Sequence, residues 1–157
     1  MSVNYKKPLV MDEIYLKFLE LLNEFEVKYV VLGGYAVIIH GYVRATGDMD
    51  ILIESSPENA ERIIAALIKF GYEVYDFEIS DFVGIDKVVT LNPYPFKIEI
   101  LTSTLGVTFE KCYQNKKVIE VEQVKINFIS RQDLIENKKA VGRPKDLLDI
   151  ENLPESD

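Results

Sequence analysis

The chain has 157 residues, enough for one domain with a genuine core. Hydrophobic residues at 48% and charged residues at 28% are ordinary globular proportions and argue against disorder. The 26 acidic side chains outnumber 18 basic ones, giving a formal charge of −8 that disfavours a non-specific duplex binder but leaves room for a small site where metal ions neutralise carboxylates. One cysteine, Cys112, cannot form an internal disulfide, and no Cys/His cluster offers a zinc site. The amino-terminal stretch MSVNYKKPLVMDEIY has no long apolar core, and no run approaches 18 apolar residues. The expectation is a cytoplasmic protein without a membrane span, folded as a single domain over 1–157 with a loose tail from about 154.

In chain order, residues 12–26 read as an amphipathic helix: Asp12 can cap it, and Ile14, Phe18, Leu21, Leu22 and Phe25 follow the helical period. Residues 28–32, KYVVL, read as a buried strand that stops at Gly33-Gly34. A short helix over 35–40 and a second strand over 49–54 follow. The next helix is capped by Ser56, has Pro57 in its first turn and stops at Gly71. Strand-like segments come at roughly 73–79, 85–91 and 96–101, with a turn at Asn92-Pro93. Residues 117–122 and 124–129 read as a hairpin. Ser130 with Asp133 resembles a capping box for a helix ending near Gly142, and Pro144 begins a last short helix. The order predicts an α/β (α+β) fold, a mixed sheet with helices packed on it, without the strict alternation of a doubly wound sheet.

Two features carry chemistry. Strand side chains alternate faces, so Asp48 and Asp50 point the same way and Met49 the other. Two ionised carboxylates side by side on a half-buried strand repel each other and resist desolvation. A divalent cation reverses that sign, and Mg²⁺ combines carboxylate oxygens with water and substrate phosphates. Gly33 and Gly34, ending one strand and opening a helix, let backbone N–H groups approach an anion closely. Arg44 and Thr46 lie between the two features and could add phosphate contacts. Alone, a Gly-Gly is most often a tight turn and an Asp-x-Asp a solvated pair; their order and spacing favour one joint site.

The pattern G-G-x13-D-M-D inside strand–helix–strand resembles the signature of the polymerase-β-like nucleotidyltransferase superfamily. The longer string GGYAVIIHGYVRATGDMDILIE, with KKAVGRPKDLLDIENL near the C-terminus, is similar to the small prokaryotic nucleotidyltransferases of the AbiEii-toxin group. The resemblance implies the nucleotidyltransferase fold and a dependence on Mg²⁺ (or Mn²⁺). It also implies transfer of NMP from an NTP to an acceptor hydroxyl, with release of pyrophosphate. It raises a role in a toxin–antitoxin or phage-defence module. Such proteins usually carry a third acid, most often Asp, on a neighbouring strand; the candidate here is Glu99 in FKIEILTS, as a further metal ligand or as the base, with Asp86 the weaker alternative. The resemblance also implies that Lys138 and Arg143 help bind phosphates or organise the site; the competing reading pairs them with Asp146 or Asp149.

His40, the only histidine, reads as structural, and the Tyr and Phe residues as core. The acceptor (small molecule, RNA end or protein side chain) is not legible, and a partner protein or a homodimer would have to supply the surface that selects it. The alternative function is a catalytically weak or inactive member that binds a partner or a nucleotide; the intact Asp48 and Asp50 favour the enzyme.

Overall fold

Tyr29–Val31 (β2) and Asp48–Ile53 (β3) form the centre of the molecule, because both alternate or run through apolar, β-branched side chains that only a sheet covered by helices can bury. The structure, a computed structural model, describes residues 2–4 and 11–155. The end of the expected tail, residues 156 and 157, lies outside them, as does most of the amino-terminal stretch. Of that tail, Pro154 is described: its carbonyl accepts from the Arg131 guanidinium.

Among the described residues seven strands make one mixed sheet. Besides β2 and β3 these are Ser2–Asn4 (β1), Val88–Leu91 (β4), Lys97–Leu101 (β5), Lys117–Val121 (β6) and Val124–Phe128 (β7), in the order β1-β6-β7-β2-β3-β5-β4. β3 runs antiparallel to β2 and parallel to β5, with Asp48 opposite Lys97 and Asp50 opposite Glu99. β4 and β5 pair antiparallel across the turn at Asn92-Pro93, closed by the Phe96 N–H on the Pro93 carbonyl at 2.7 Å. The expected hairpin of β6 and β7 forms, turning on Glu122 and Gln123, both with positive φ.

The helices start where their caps are written. Asp12 accepts the Ile14 N–H at 2.9 Å and opens Glu13–Glu24 (α1). Ser56 accepts the Asn59 N–H at 3.2 Å and opens Pro57–Phe70 (α3), which stops at Gly71. α1 and α3 pack on each other, and α1 also lies on β7, burying Phe18, Leu19, Leu22, Ile63 and Leu67. Gly33–Ile39 (α2) begins on the two glycines themselves, slightly earlier than expected. Arg131–Val141 (α5) and Pro144–Asn152 (α6) form a helical hairpin around Gly142, whose φ of 68° is left-handed. Ser130 caps α5, but the Asp133 carboxylate turns to Lys111 and Asn115 rather than back to the cap.

Two expectations fail, and one element was missed. Residues 73–79 form no strand: they belong to two short 3₁₀ turns, Val74–Asp76 and Ile79–Phe82, in which Asp76 and Asp81 hydrogen-bond back to the Glu73 and Glu78 N–H groups. Of 85–91 only the last four residues are strand, since Asp86 sits at φ 59° in the preceding turn. A short helix at Phe109–Gln114 (α4), capped by Thr108, went unread because its two buried residues, Phe109 and Cys112, are too few to reveal a period.

Candidate functional site

Asp48 and Asp50 leave β3 on one face while Met49, fully buried, fills the other, as the pleat requires. The half-exposed Asp48 stands at the strand's start and Asp50 one step deeper. The Leu32 N–H donates to the Asp50 carbonyl at 2.9 Å, which brings the glycine turn against the strand. Gly33, at φ 65°, then lies so close to Asp50 that a Cβ would collide with its carboxylate, and a Cβ on Gly34 would collide with the Thr46 hydroxyl. Glycine is required at both positions by this packing alone.

Gly33, Gly34, Arg44, Thr46, Asp48, Asp50, Lys138 and Arg143 line a single cavity of about 180 Å³, together with Ala45, Gly47 and Lys145. Eight of the nine side chains and turns singled out in the sequence are thereby brought together. The ninth, Glu99, lies beside Asp50 on the neighbouring strand, on the same sheet face, but outside this lining. Its carboxylate is held by Lys97 Nζ at 2.8 Å, and the same ammonium lies 3.9 Å from Asp48. Asp86 is excluded by position: it pairs with Ser103, beyond the far end of β5.

The cations on the opposite wall are committed to a second acid pair. Arg44 makes a two-pronged contact with Asp149 at 2.8 and 2.9 Å. The buried Lys138 bridges Asp149 at 2.9 Å and Asp146 at 3.2 Å, and Arg143 meets Asp146 at 2.7 Å. The ion pairs weighed against phosphate binding therefore exist. Lys145, exposed on the first turn of α6, makes no ion pair among the described residues.

The electrostatics of the two walls differ in sign. Burial, then the charges of Glu99 and Asp48, hold the Asp50 carboxyl above the usual carboxylate range, only partly offset by Lys145 and Arg143. Burial acts the same way on Asp146 and Asp149, but hydrogen bonds from Arg143, Lys138 and Arg44 outweigh it and hold both below that range. A hard divalent cation such as Mg²⁺ or Mn²⁺ fits the first wall: Asp48 and Asp50 offer only oxygen donors, and among the described residues no ion pair reaches Asp50. No group of three acids, histidines or cysteines among the described residues converges on one point, so Glu99 does not complete a three-ligand cage as it stands.

The family described as "Nucleotidyltransferase of unknown function (DUF6036)" matches residues 12–154. The chain belongs to this family. No curated protein matches the sequence. Among solved structures, a Thermotoga maritima protein provisionally named a nucleotidyltransferase superposes with a TM-score of 0.62 at 18% identity, over 88% of each chain. An antigenic nucleotidyltransferase-like protein from Paracoccidioides brasiliensis gives 0.52 at 18% identity, over 94% of this chain and 76% of that one. At such identities the likeness is one of fold, and it supports a mixed α/β nucleotidyltransferase fold. Among the described residues no helix is long and apolar enough to cross a membrane.

Several residues of this family member's site escaped the sequence reading. Asp146 and Asp149, spaced one helical turn apart, were legible as possible partners of the cations but not as the anchor of the whole wall. Tyr15 had no signal at all beyond its helical period. Its buried hydroxyl lies 2.8 Å from the Gly47 carbonyl and 3.2 Å from that of Lys97, and accepts the Lys97 N–H at 3.3 Å. Edge-on contacts with Tyr35 and Phe96 fix the ring, so one side chain pins the starts of β3 and β5 together where the acids emerge. His40 is structural, as expected: buried at the end of α2, with a ring nitrogen 2.7 Å from the Ile129 carbonyl.

Proposed function

We propose that this protein transfers NMP from an NTP to an acceptor hydroxyl, with Mg²⁺ or Mn²⁺ at Asp48 and Asp50 and release of pyrophosphate. The observation that carries this reading is the weakly compensated acid pair on β3, packed beside the glycine turn in a cavity whose other rim bears cations. In the reaction the acceptor oxygen bonds to the α-phosphorus, the bond from that phosphorus to the oxygen bridging to the β-phosphate breaks, and pyrophosphate leaves. A divalent ion, when bound, offsets charge developing on the transferring phosphoryl group.

The chain's own groups supply the rest. Asp48 and Asp50 would hold that ion at the start of β3, beside the glycine turn. Lys145, which makes no ion pair among the described residues, and the exposed edge of Arg143 would meet the β- and γ-phosphates. Arg44 and Lys138 act through Asp146 and Asp149, holding the loop at 44–47 and the α5–α6 hairpin against each other. The Glu99 carboxylate, next to Asp50, is the base nearest the acids and takes the acceptor proton. A cavity of about 180 Å³ suits phosphates and ion rather than a whole nucleotide, so base and acceptor lie across the open rim.

One observation favours the alternative, a nucleotide- or partner-binding module with little activity: Lys97 already neutralises Glu99. Labelled NTPs incubated with the protein, Mg²⁺ or Mn²⁺ and a cell extract decide between them. Label on a macromolecule or small molecule, lost with Asp50→Asn, is the expected result. Nucleotide binding without transfer to anything would leave the binding module.

A further inference from the structure

On the sheet face that carries the acids, β3 and β5 place four side chains at the corners of a small quadrilateral. Asp48 stands opposite Lys97 and Asp50 opposite Glu99, while the alternate residues Met49 and Ile98 are fully buried on the other face. The parallel register, rather than rotamer choice, fixes this arrangement, and Tyr15 pins both strands at its open end. Lys97 Nζ sits between Glu99, at 2.8 Å, and Asp48, at 3.9 Å, and makes no ion pair with Asp50. Paired-ion phosphoryl-transfer sites keep their two cations about 3.5–4 Å apart. Here the space between Asp48 and Glu99 already holds a positive charge.

We propose that the Lys97 ammonium stands in for one of two metal ions, so that the site takes a single divalent cation, at Asp48 and Asp50. This rests on the reading of the two aspartates as metal ligands. A second dication entering between Asp48 and Glu99 would have to displace the ammonium from Glu99 or sit beside it against like-charge repulsion. The absence of any three-acid cage among the described residues follows from the same cause: Glu99 is turned to the ammonium instead of to a point shared with both aspartates. Glutamate also suits the role, since its extra methylene brings the carboxylate to Lys97 two residues earlier on the same strand face.

The test counts ions without asking for turnover. Purified full chain is titrated with Mn²⁺ alone, and bound ions are counted by electron paramagnetic resonance, where a close pair of Mn²⁺ broadens the signal by spin coupling. The wild type should bind one ion per chain with no coupling. Lys97→Met should bind two, coupled, because the freed Glu99 and Asp48 then accept a second ion. Lys97→Arg, which keeps the cation, should stay at one. The side chain of Lys97 is about two-fifths exposed, and the Tyr15 hydroxyl hydrogen-bonds to its backbone, so these variants should keep their fold, checked by circular dichroism. Two coupled ions in the wild type, or one ion in Lys97→Met, overturns the inference while leaving the metal reading of Asp48 and Asp50 in place. No ion in any of the three overturns both.

Discussion

The protein carries two pairs of aspartates across one cavity, and they do opposite things. Asp146 and Asp149 sit one turn apart on α6, are almost wholly buried and are saturated by Arg44, Lys138 and Arg143. Asp48 and Asp50 sit two residues apart on β3, and among the described residues the only ion pair of the two is a long contact from Lys97 to Asp48. Burial is unfavourable to charge in both places; what differs is the number of cations within hydrogen-bond reach. The helical pair is therefore held ionised as a structural anchor, while Asp50 is held in a state that a cation would relieve. On the proposed function, the loosely partnered aspartates of β3 carry the chemistry and the fully partnered ones of α6 carry the frame.

The largest effect expected from breaking this contrast comes from the anchor. Asp149→Ala strips Arg44 of both its contacts and leaves the buried Lys138 with one acid, which should cost about 3–5 kcal/mol. Urea unfolding measures it; a loss well under that range would mean that water or Asp146 takes over the cations.

Asp48→Asn and Asp50→Asn should do the reverse, sparing the fold and lowering nucleotidyl transfer about 100-fold or more, equivalent to roughly 2.7 kcal/mol of transition-state stabilisation. Transfer of label from NTP, with circular dichroism alongside, checks both halves. If these variants unfold, the β3 pair belongs to the frame after all.

Between the two regions stands Tyr15. Tyr15→Phe removes the hydroxyl that joins Gly47 to Lys97 and leaves their backbone groups short of a partner, for a loss of about 1–2 kcal/mol in denaturant unfolding. Transfer should fall more than nucleotide binding does, because the acids are displaced while the cation wall is untouched. An equal loss in both would assign Tyr15 to stability alone.

The smallest effect is the pH dependence, where the two pairs separate by sign. Asp146 and Asp149 have lowered pKa values, so their stabilisation is present above the ordinary carboxylate pKa of about 3.9 and is lost as pH falls below it. Asp50 has a raised pKa: between its ordinary and its folded value the native state holds more protons, so stability falls as pH rises through that window. Metal-free Asp50→Asn should accordingly melt higher than the wild type at neutral pH, and the gain should vanish in acid. Melting curves across pH show it, and a gain that grows in acid would contradict the assignment.

Read alone, the sequence determined the elements whose signals are local. Caps at Asp12, Ser56 and Ser130, the stop at Gly71 and the turn at Gly142 each depend on a few neighbouring residues, and they fall where written. It also determined that Asp48 and Asp50 share a face, since the strand period is a property of the backbone. It misread 73–79, where apolar alternation was met by 3₁₀ turns closed by Asp76 and Asp81, and it missed α4, whose short apolar face gives no period. Only the tertiary structure decided which charges meet. The β3–β5 register, a contact between residues some fifty positions apart, sets Lys97 between Asp48 and Glu99. The packing of the 44–47 loop on α6 likewise sends Arg44 to Asp149 across 105 residues. Charge–charge energies depend on separation in space and on burial, and neither is a function of position along the chain.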